Sequence, residues 1–269
     1  MISVDAKKCS RDQACIRACP VSILRMKDVP EMIPGRERAC LRCGHCVAVC
    51  PRGALTHRDV PLESCPPVEQ GRSLDEARAV QFLRSRRSMR VYLDRLVETE
   101  RLERLIDVAR YAPTASNRQS VKWLVIRDRE RVRGLARLAV DWMRGVAAKG
   151  PEDAVPAYMR RLVSAWDAGS DVITRGAPAL VVAHDSADND NGMVDLSVAL
   201  SYLELAAQPL GLAACWGGLL QRALLASPAL KEALGLPAGH PHHYPMMVGY
   251  PGLKYHRLPE RRPPAIEWR

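Results

Sequence analysis

No stretch of about 18 uninterrupted apolar residues, the length a helix needs to cross a bilayer, occurs in the 269 residues. The opening Met1–Lys8 also lacks the apolar segment of a secretion signal. The expectation is a cytoplasmic protein with no membrane partner. No Gly-x-Gly-x-x-Gly joins a strand to a helix, which excludes a built-in Rossmann unit. No basic run is interleaved with aromatics, so nucleic acid is not an expected partner. The net charge of +10 instead suits an anionic ligand or an acidic partner protein, against the plain alternative of an Arg-rich composition. Residues 1 to about 55 lack helical periodicity, so something other than side-chain packing has to supply their core.

What fills that gap is cysteine. Eight of the nine cysteines fall within the first 65 residues, at spacings that suit metal-ligating thiolates in a reducing cytosol better than disulfides. Cys40, Cys43, Cys46 and Cys50, followed by Pro51, reproduce the C-x2-C-x2-C-x3-C-P spacing of bacterial ferredoxins. Three thiolates on one loop can reach three irons of a cubane, Gly44 lets the loop turn, and Pro51 directs the fourth cysteine toward a neighbouring cluster. A zinc site is the competing reading. Cys9, Asp12, Cys15 and Cys19, followed by Pro20, repeat the spacing with aspartate in place of the second cysteine. Crossed ligation then assigns Cys19, Cys40, Cys43 and Cys46 to one 4Fe-4S cluster, and Cys9, Cys15 and Cys50 with Asp12 to the other. A carboxylate is a harder ligand than a thiolate, so the second site is open between an Asp-ligated 4Fe-4S cluster, a 3Fe-4S cluster and a vacant corner. Cys65 reads as a structural thiol and Cys215 as core.

Residues 1–57 are thus a cluster domain, and the proline-punctuated stretch 58–72 is a linker. A second domain over 73–269 opens at Ser73-Leu74-Asp75-Glu76, which has the shape of a capping box, with Ala77, Val80 and Leu83 at helical spacing behind it. Leu102, Leu105, Ile106 and Ala109 predict a helix. Strands are expected at Lys122–Arg127, Pro178–His184, Leu212–Trp216 and Tyr244–Gly249. Met193–Leu210 is apolar on nearly every face, as in a helix buried in a core or a subunit interface. The region 131–172 reads as helical and amphipathic, with no diagnostic motif.

Four stretches of this second domain resemble the nitroreductase family of FMN enzymes, and the whole chain resembles that family's ferredoxin-fused branch. Arg86-Arg87-Ser88-Met89-Arg90 is similar to its phosphate-and-ribityl clamp, in which guanidinium forks and a hydroxyl meet phosphate oxygens. Ala112-Pro113-Thr114-Ala115-Ser116-Asn117-Arg118-Gln119 is similar to a loop that reaches the flavin from the opposite subunit. The resemblance carries Pro113, Thr114, Ala115, Asn117 and Gln119 over as contacts, although Ser120 stands where a proline usually follows. Cys215-Trp216-Gly217-Gly218 is similar to the segment beside the isoalloxazine ring, implying amide donors from Gly217 or Gly218. Arg257 and Arg261 resemble the closing side of the phosphate clamp; a charged free tail is the alternative.

The resemblance implies an α+β fold: a bacterial ferredoxin-like module, then an FMN domain with a central, mostly antiparallel sheet, acting as a homodimer. Clusters move one electron at a time and FMN one or two. The expected function is an iron-sulfur flavoprotein oxidoreductase that draws electrons from reduced ferredoxin or a similar donor. It would pass them to a nitro compound, quinone or activated alkene. NAD(P)H reduction of the flavin and a non-catalytic electron carrier are the alternatives, and no residue is assigned as catalytic acid.

Overall fold

The computed structural model describes residues 1–149 and 157–269. The chain divides into two compact units, Met1–Leu74 with Thr114–Arg118, and Asp75–Pro113 with Gln119–Arg269. Residues 58–72, expected as a linker, are grouped with the first unit.

The first unit contains β1 (Ile2–Val4), α1 (Ala14–Arg17), β2 (Leu24–Met26), β3 (Pro30–Met32), α2 (His45–Ala48) and β4 (Leu55–His57). β1 pairs antiparallel with β4, and β2 with β3. Its apolar centre is small, built on Cys15, Val47 and Leu55, as the missing periodicity implied. The backbone repeats itself 31 residues on. Left-handed φ values occur at Arg11 and Arg42, at Gln13 and Gly44, and at Ser22 and Gly53. The repeat also superposes the spacing of the cysteine runs and of β2 on β4. Gly44 is required twice over: its φ is +71°, and a Cβ there would meet Val60 Cγ1 at 2.9 Å. Within this unit Asn117 Nδ2 donates to Leu41 O at 3.0 Å and to Arg42 O at 3.2 Å.

The second unit contains α3 (Glu76–Ser85), α4 (Thr99–Ala109), β5 (Lys122–Ile126), α5 (Arg129–Lys149), α6 (Ala157–Asp167), β6 (Ala179–Asp185), α7 (Gly192–Ala207), β7 (Ala213–Trp216), α8 (Gly218–Ala226), α9 (Pro228–Leu234) and β8 (His242–Gly249). The four strands form one sheet in the order β5-β6-β8-β7, every pair antiparallel. Successive side chains of β6 alternate between two cores: Leu180 and Val182 pack with α5, α8 and α9, whereas Ala179, Val181 and Ala183 pack with α4 and α7. Both faces of the sheet are therefore covered, which is why this strand reads as an unbroken apolar run rather than an alternating one.

Two expectations change in detail. The cap of α3 is Asp75, whose side chain accepts from Arg78 N at 2.8 Å, rather than Ser73. Val80 and Leu83 on that helix are exposed, so their spacing marks an apolar stripe that the single chain does not bury. α7 buries Leu196, Leu200 and Leu203 but leaves Val194 and Tyr202 exposed, so only part of its apolar surface faces this chain's core. Of the region 131–172, α5 and α6 are helical as expected, and residues 150–156 lie outside the described residues. Among the described residues, no helix is long and apolar enough to cross a membrane.

Candidate functional site

The eight cysteine-run residues fall around two separate hollows. Cys19, Cys40, Cys43 and Cys46 line one, together with His57. Cys9, Asp12, Cys15 and Cys50 line the other. Each run thus contributes three residues to its own hollow and sends its last cysteine to the other, because α1 and α2 carry the chain across between the third and fourth positions. Among the described residues no three His, Cys, Asp or Glu side chains converge as one metal ion requires. Burial, with Cys43 and Cys40 nearby, pushes the Cys46 thiol up to about 11; burial also raises Cys15. Thiolates crowded into such hollows need a compensating cationic body.

Asp12 has local employment. Its Oδ1 accepts from Ala14 N at 2.8 Å and its Oδ2 from Ser10 Oγ at 2.7 Å. The bond from Ala14, then that from Ser10, holds its carboxyl below the usual range. The carboxylate therefore fastens the turn that leads into α1 while lining the hollow, and its remaining lone pairs are available to iron. Cys65 donates to Pro61 O at 3.4 Å and packs against the Leu55 cluster, and Cys215 is buried in β7.

In the second unit Met89 N donates to Ala214 O at 3.0 Å, laying the Arg86–Tyr92 strip along the outer edge of β7. Cavities of about 610 and 770 Å³ flank it; ligand sites span roughly 300–1,000 Å³. The smaller is lined by Arg86, Arg87, Glu204 and Lys254. Arg86, expected in the phosphate clamp, is engaged instead: Nη1 donates to Glu204 Oε1 at 2.6 Å and more weakly to Ser88 Oγ at 3.5 Å. Trp216 Nε1 donates to the other oxygen, Glu204 Oε2, at 3.0 Å. Arg87 donates to Arg86 O, while its Nε is buried without an acceptor.

The larger cavity is lined by Arg90, Arg175, Arg222, Trp216, Gly218 and Tyr244, among others. The ion pairs among the described residues do not include Arg90 or Arg175. Arg175 sits at φ +59°, held by a turn in which Asp171 Oδ1 accepts from Ile173 N and Thr174 N and Oδ2 accepts from Gly176 N at 2.9 Å. Trp216 meets Tyr244 edge-on at 5.1 Å. The amide of Gly217 is donated to Pro245 O at 2.9 Å, so of the two expected amide donors Gly218, which opens α8 without a side-chain cap, is the one not committed to the sheet. Arg257 and Arg261 lie on an exposed C-terminal segment.

In the 113–119 loop, Ser116, Asn117 and Gln119 all hold left-handed φ values of 51–54°, a concentration of strain typical of ligand-contacting turns. Pro113 is exposed, and Thr114 and Ala115 are half-buried. The side chain of Asn117 is on the Cys40–Cys43 loop, as described above. Ser120, where the resemblance expects a proline, donates its hydroxyl to the buried Asp185 Oδ2 at 2.7 Å. Asn189 Nδ2 ties the same oxygen at 2.8 Å and Asp195 Oδ2 at 2.9 Å, so a hydrogen-bonded knot anchors the loop where a ring constraint would otherwise do so.

Glu204, Arg175, Arg222, Tyr244 and His57 were not found from sequence. An acid late in the apolar run of α7 was the available signal for Glu204, because a buried carboxylate needs partners. The others carry no motif of their own.

The sequence model of the nitroreductase family matches residues 83–250, and that of a 4Fe-4S dicluster domain matches residues 1–51. A protein of Archaeoglobus fulgidus described as an NADH dehydrogenase/NAD(P)H nitroreductase is 27% identical over 176 residues, 64% of this chain and 84% of that protein. Among solved structures, a nitroreductase from Bacteroides fragilis with bound FMN superposes with a TM-score of 0.57 at 20% identity, covering 72% of this chain and 100% of that one. A nitroreductase from Desulfitobacterium hafniense with bound FMN gives the same TM-score, identity and coverage.

Proposed function

Because the chain belongs to the nitroreductase family, we propose that it is an iron-sulfur flavoprotein oxidoreductase, taking in electrons singly and delivering them in pairs to an electrophilic small molecule. Clusters supply one-electron transfer and FMN supplies hydride or electron-pair transfer when bound. The observation that carries this reading is the sorting of eight spaced donors into two crossed sets of four, in a chain whose other unit has a nitroreductase fold.

The donor sets fit the groups. Cys19, Cys40, Cys43 and Cys46 hold a 4Fe-4S cluster. Cys9, Cys15 and Cys50, with Asp12 in reach, hold a second cluster of the 4Fe-4S or 3Fe-4S kind. FMN fits the larger cavity of the second unit, where Arg90 and Arg175 offer guanidinium forks to a phosphate and the amide of Gly218 offers a donor beside Trp216. Arg87 Nε, a buried donor lacking an acceptor, adds to the anion-seeking character of the strip. Glu204 orients both Arg86 and Trp216, and so acts on the seat through them. By the family resemblance Ser88, Arg257 and Arg261 add to the phosphate clamp, and the 113–119 loop, through Thr114, Ala115 and Asn117, reaches the flavin of a second copy in a homodimer. Acceptors are nitro compounds, quinones or activated alkenes. A cytoplasmic setting keeps the thiolates reduced.

Anaerobic purification with iron, sulfide and FMN quantified tests this: about seven or eight irons per chain, with FMN, is expected. Material free of iron and flavin overturns it. The name of the Archaeoglobus relative favours a second reading in which NAD(P)H reduces the flavin directly. Stopped-flow bleaching of FMN by NAD(P)H, with no ferredoxin present, would select it.

A further inference from the structure

His57 ends β4 and is 3% exposed. The turn that follows it, closed by Val60 N donating to His57 O at 3.1 Å, brings the amide of Asp59 onto the ring: Asp59 N donates to His57 Nδ1 at 3.0 Å. A nitrogen that accepts from a backbone amide carries no proton, so the proton of the neutral imidazole is on Nε2. That atom lies 3.6 Å from Cys40 Sγ. The same sulfur also accepts from Arg42 N at 3.4 Å.

The other half of the module lacks this donor. Seventeen residues separate Cys40 from His57 and Cys9 from Met26. His57 and Met26 are each the last residue of a three-residue strand, related by the 31-residue repeat. A thioether has no hydrogen to give.

We propose that His57 is a positioning residue that raises the reduction potential of the cluster held by Cys19, Cys40, Cys43 and Cys46, and of that cluster alone, through an Nε2–H bond to the Cys40 sulfur. The proposal rests on the reading that this hollow holds a 4Fe-4S cluster. Reduction adds one electron and no proton, and the electron density it adds is shared by the ligand sulfurs. A donor on one of those sulfurs therefore stabilises the reduced form more than the oxidised form. The ring keeps its proton in both states. The duplication thus places two chemically unlike residues at one structural position, which sets the two clusters apart in potential beyond whatever Asp12 does.

The test is an EPR-monitored redox titration of the anaerobic holoprotein with dithionite, for wild type, His57→Leu and His57→Gln. Iron and sulfide per chain are measured alongside. His57→Leu should keep its iron and lower the midpoint of one cluster by about tenfold in the reduction equilibrium, which is 59 mV for one electron. His57→Gln, which retains an N–H donor, should recover part of the shift, and the other cluster should not move. A His57→Leu protein whose clusters both titrate at wild-type potentials overturns the proposal. Pulsed EPR of reduced protein labelled with 15N-histidine adds a direct readout: because His45 also lines this hollow, an imidazole coupling to one cluster that is lost in His57→Gln supports the bond, and its absence from the wild type overturns it. Wild-type protein without iron and sulfide sinks the underlying cluster reading instead, and the iron and sulfide assay distinguishes it whether or not FMN colours the sample.

Discussion

Arg86→Gln separates two roles that one motif could play. The resemblance assigns Arg86 to a flavin phosphate, whereas the structure binds it to Glu204 at 2.6 Å, with Glu204 8% exposed and Arg86 31% exposed. Removing one partner of a fully buried ion pair costs about 3–5 kcal/mol, and an exposed pair is worth about 0–1 kcal/mol. Arg86 is one-third exposed, and Glu204 keeps the Trp216 donor at 3.0 Å. The loss should therefore fall near that of a single charged hydrogen bond, about 1.5–3 kcal/mol. For a unit of this size the apparent Tm should drop by roughly 3–12 °C. The assay is thermal unfolding of FMN-stripped protein beside an FMN titration of the same sample. The structural role predicts a lower Tm without flavin, reproduced by Glu204→Gln and non-additive in the double variant. Arg90→Gln, at an exposed position lining the larger cavity, should instead leave the stripped Tm unchanged and weaken FMN binding. If Arg86→Gln leaves the stripped Tm untouched while FMN affinity falls tenfold or more, Arg86 is a phosphate ligand and the argument from Glu204 is refuted.

Ser120→Ala removes the 2.7 Å donor from the buried Asp185 carboxylate and should cost about 1.5–3 kcal/mol; a melting curve identical to wild type would show that Asn189 alone satisfies the carboxylate. Asp12→Cys gives the second hollow four thiolates, and iron per chain should settle at about eight whatever the wild-type count; a variant that stays at about four irons would show that this hollow takes no cluster. Burial, and then the neighbouring His240, whose Nδ1 lies 2.8 Å from that of His184, holds His184 below its ordinary value. The unfolded chain therefore binds protons more readily at this site, so stability is full above an unfolded pKa of about 6.5. It is lost as pH falls from there through the lower folded value. Thermal scans between pH 7.5 and 5 should show the loss in wild type and less of it in His184→Gln, and a wild-type profile flat over that range would contradict the argument.

The cluster module was legible because its ligands are covalently spaced: Cys40, Cys43 and Cys46 lie on one short loop, and local sequence alone determines which irons such a loop can reach. The strands were legible for a similar reason. Burial on two faces leaves an unbroken apolar run at β6, whichever partners cover it, and the helix spacing of Leu102, Leu105 and Ala109 reports a single buried stripe. What spacing could not determine was how polar side chains pair at a distance. Arg86 and Glu204 are 118 residues apart, and Ser120 and Asp185 are 65 apart. Only the tertiary fold decides that the arginine meets a carboxylate from α7 and that a serine stands in for a proline. His57 belongs to the same class: its chemistry was printed in the sequence, but the direction of its proton depends on an amide two residues on and a sulfur 17 residues back, which converge only once β4 has closed the module.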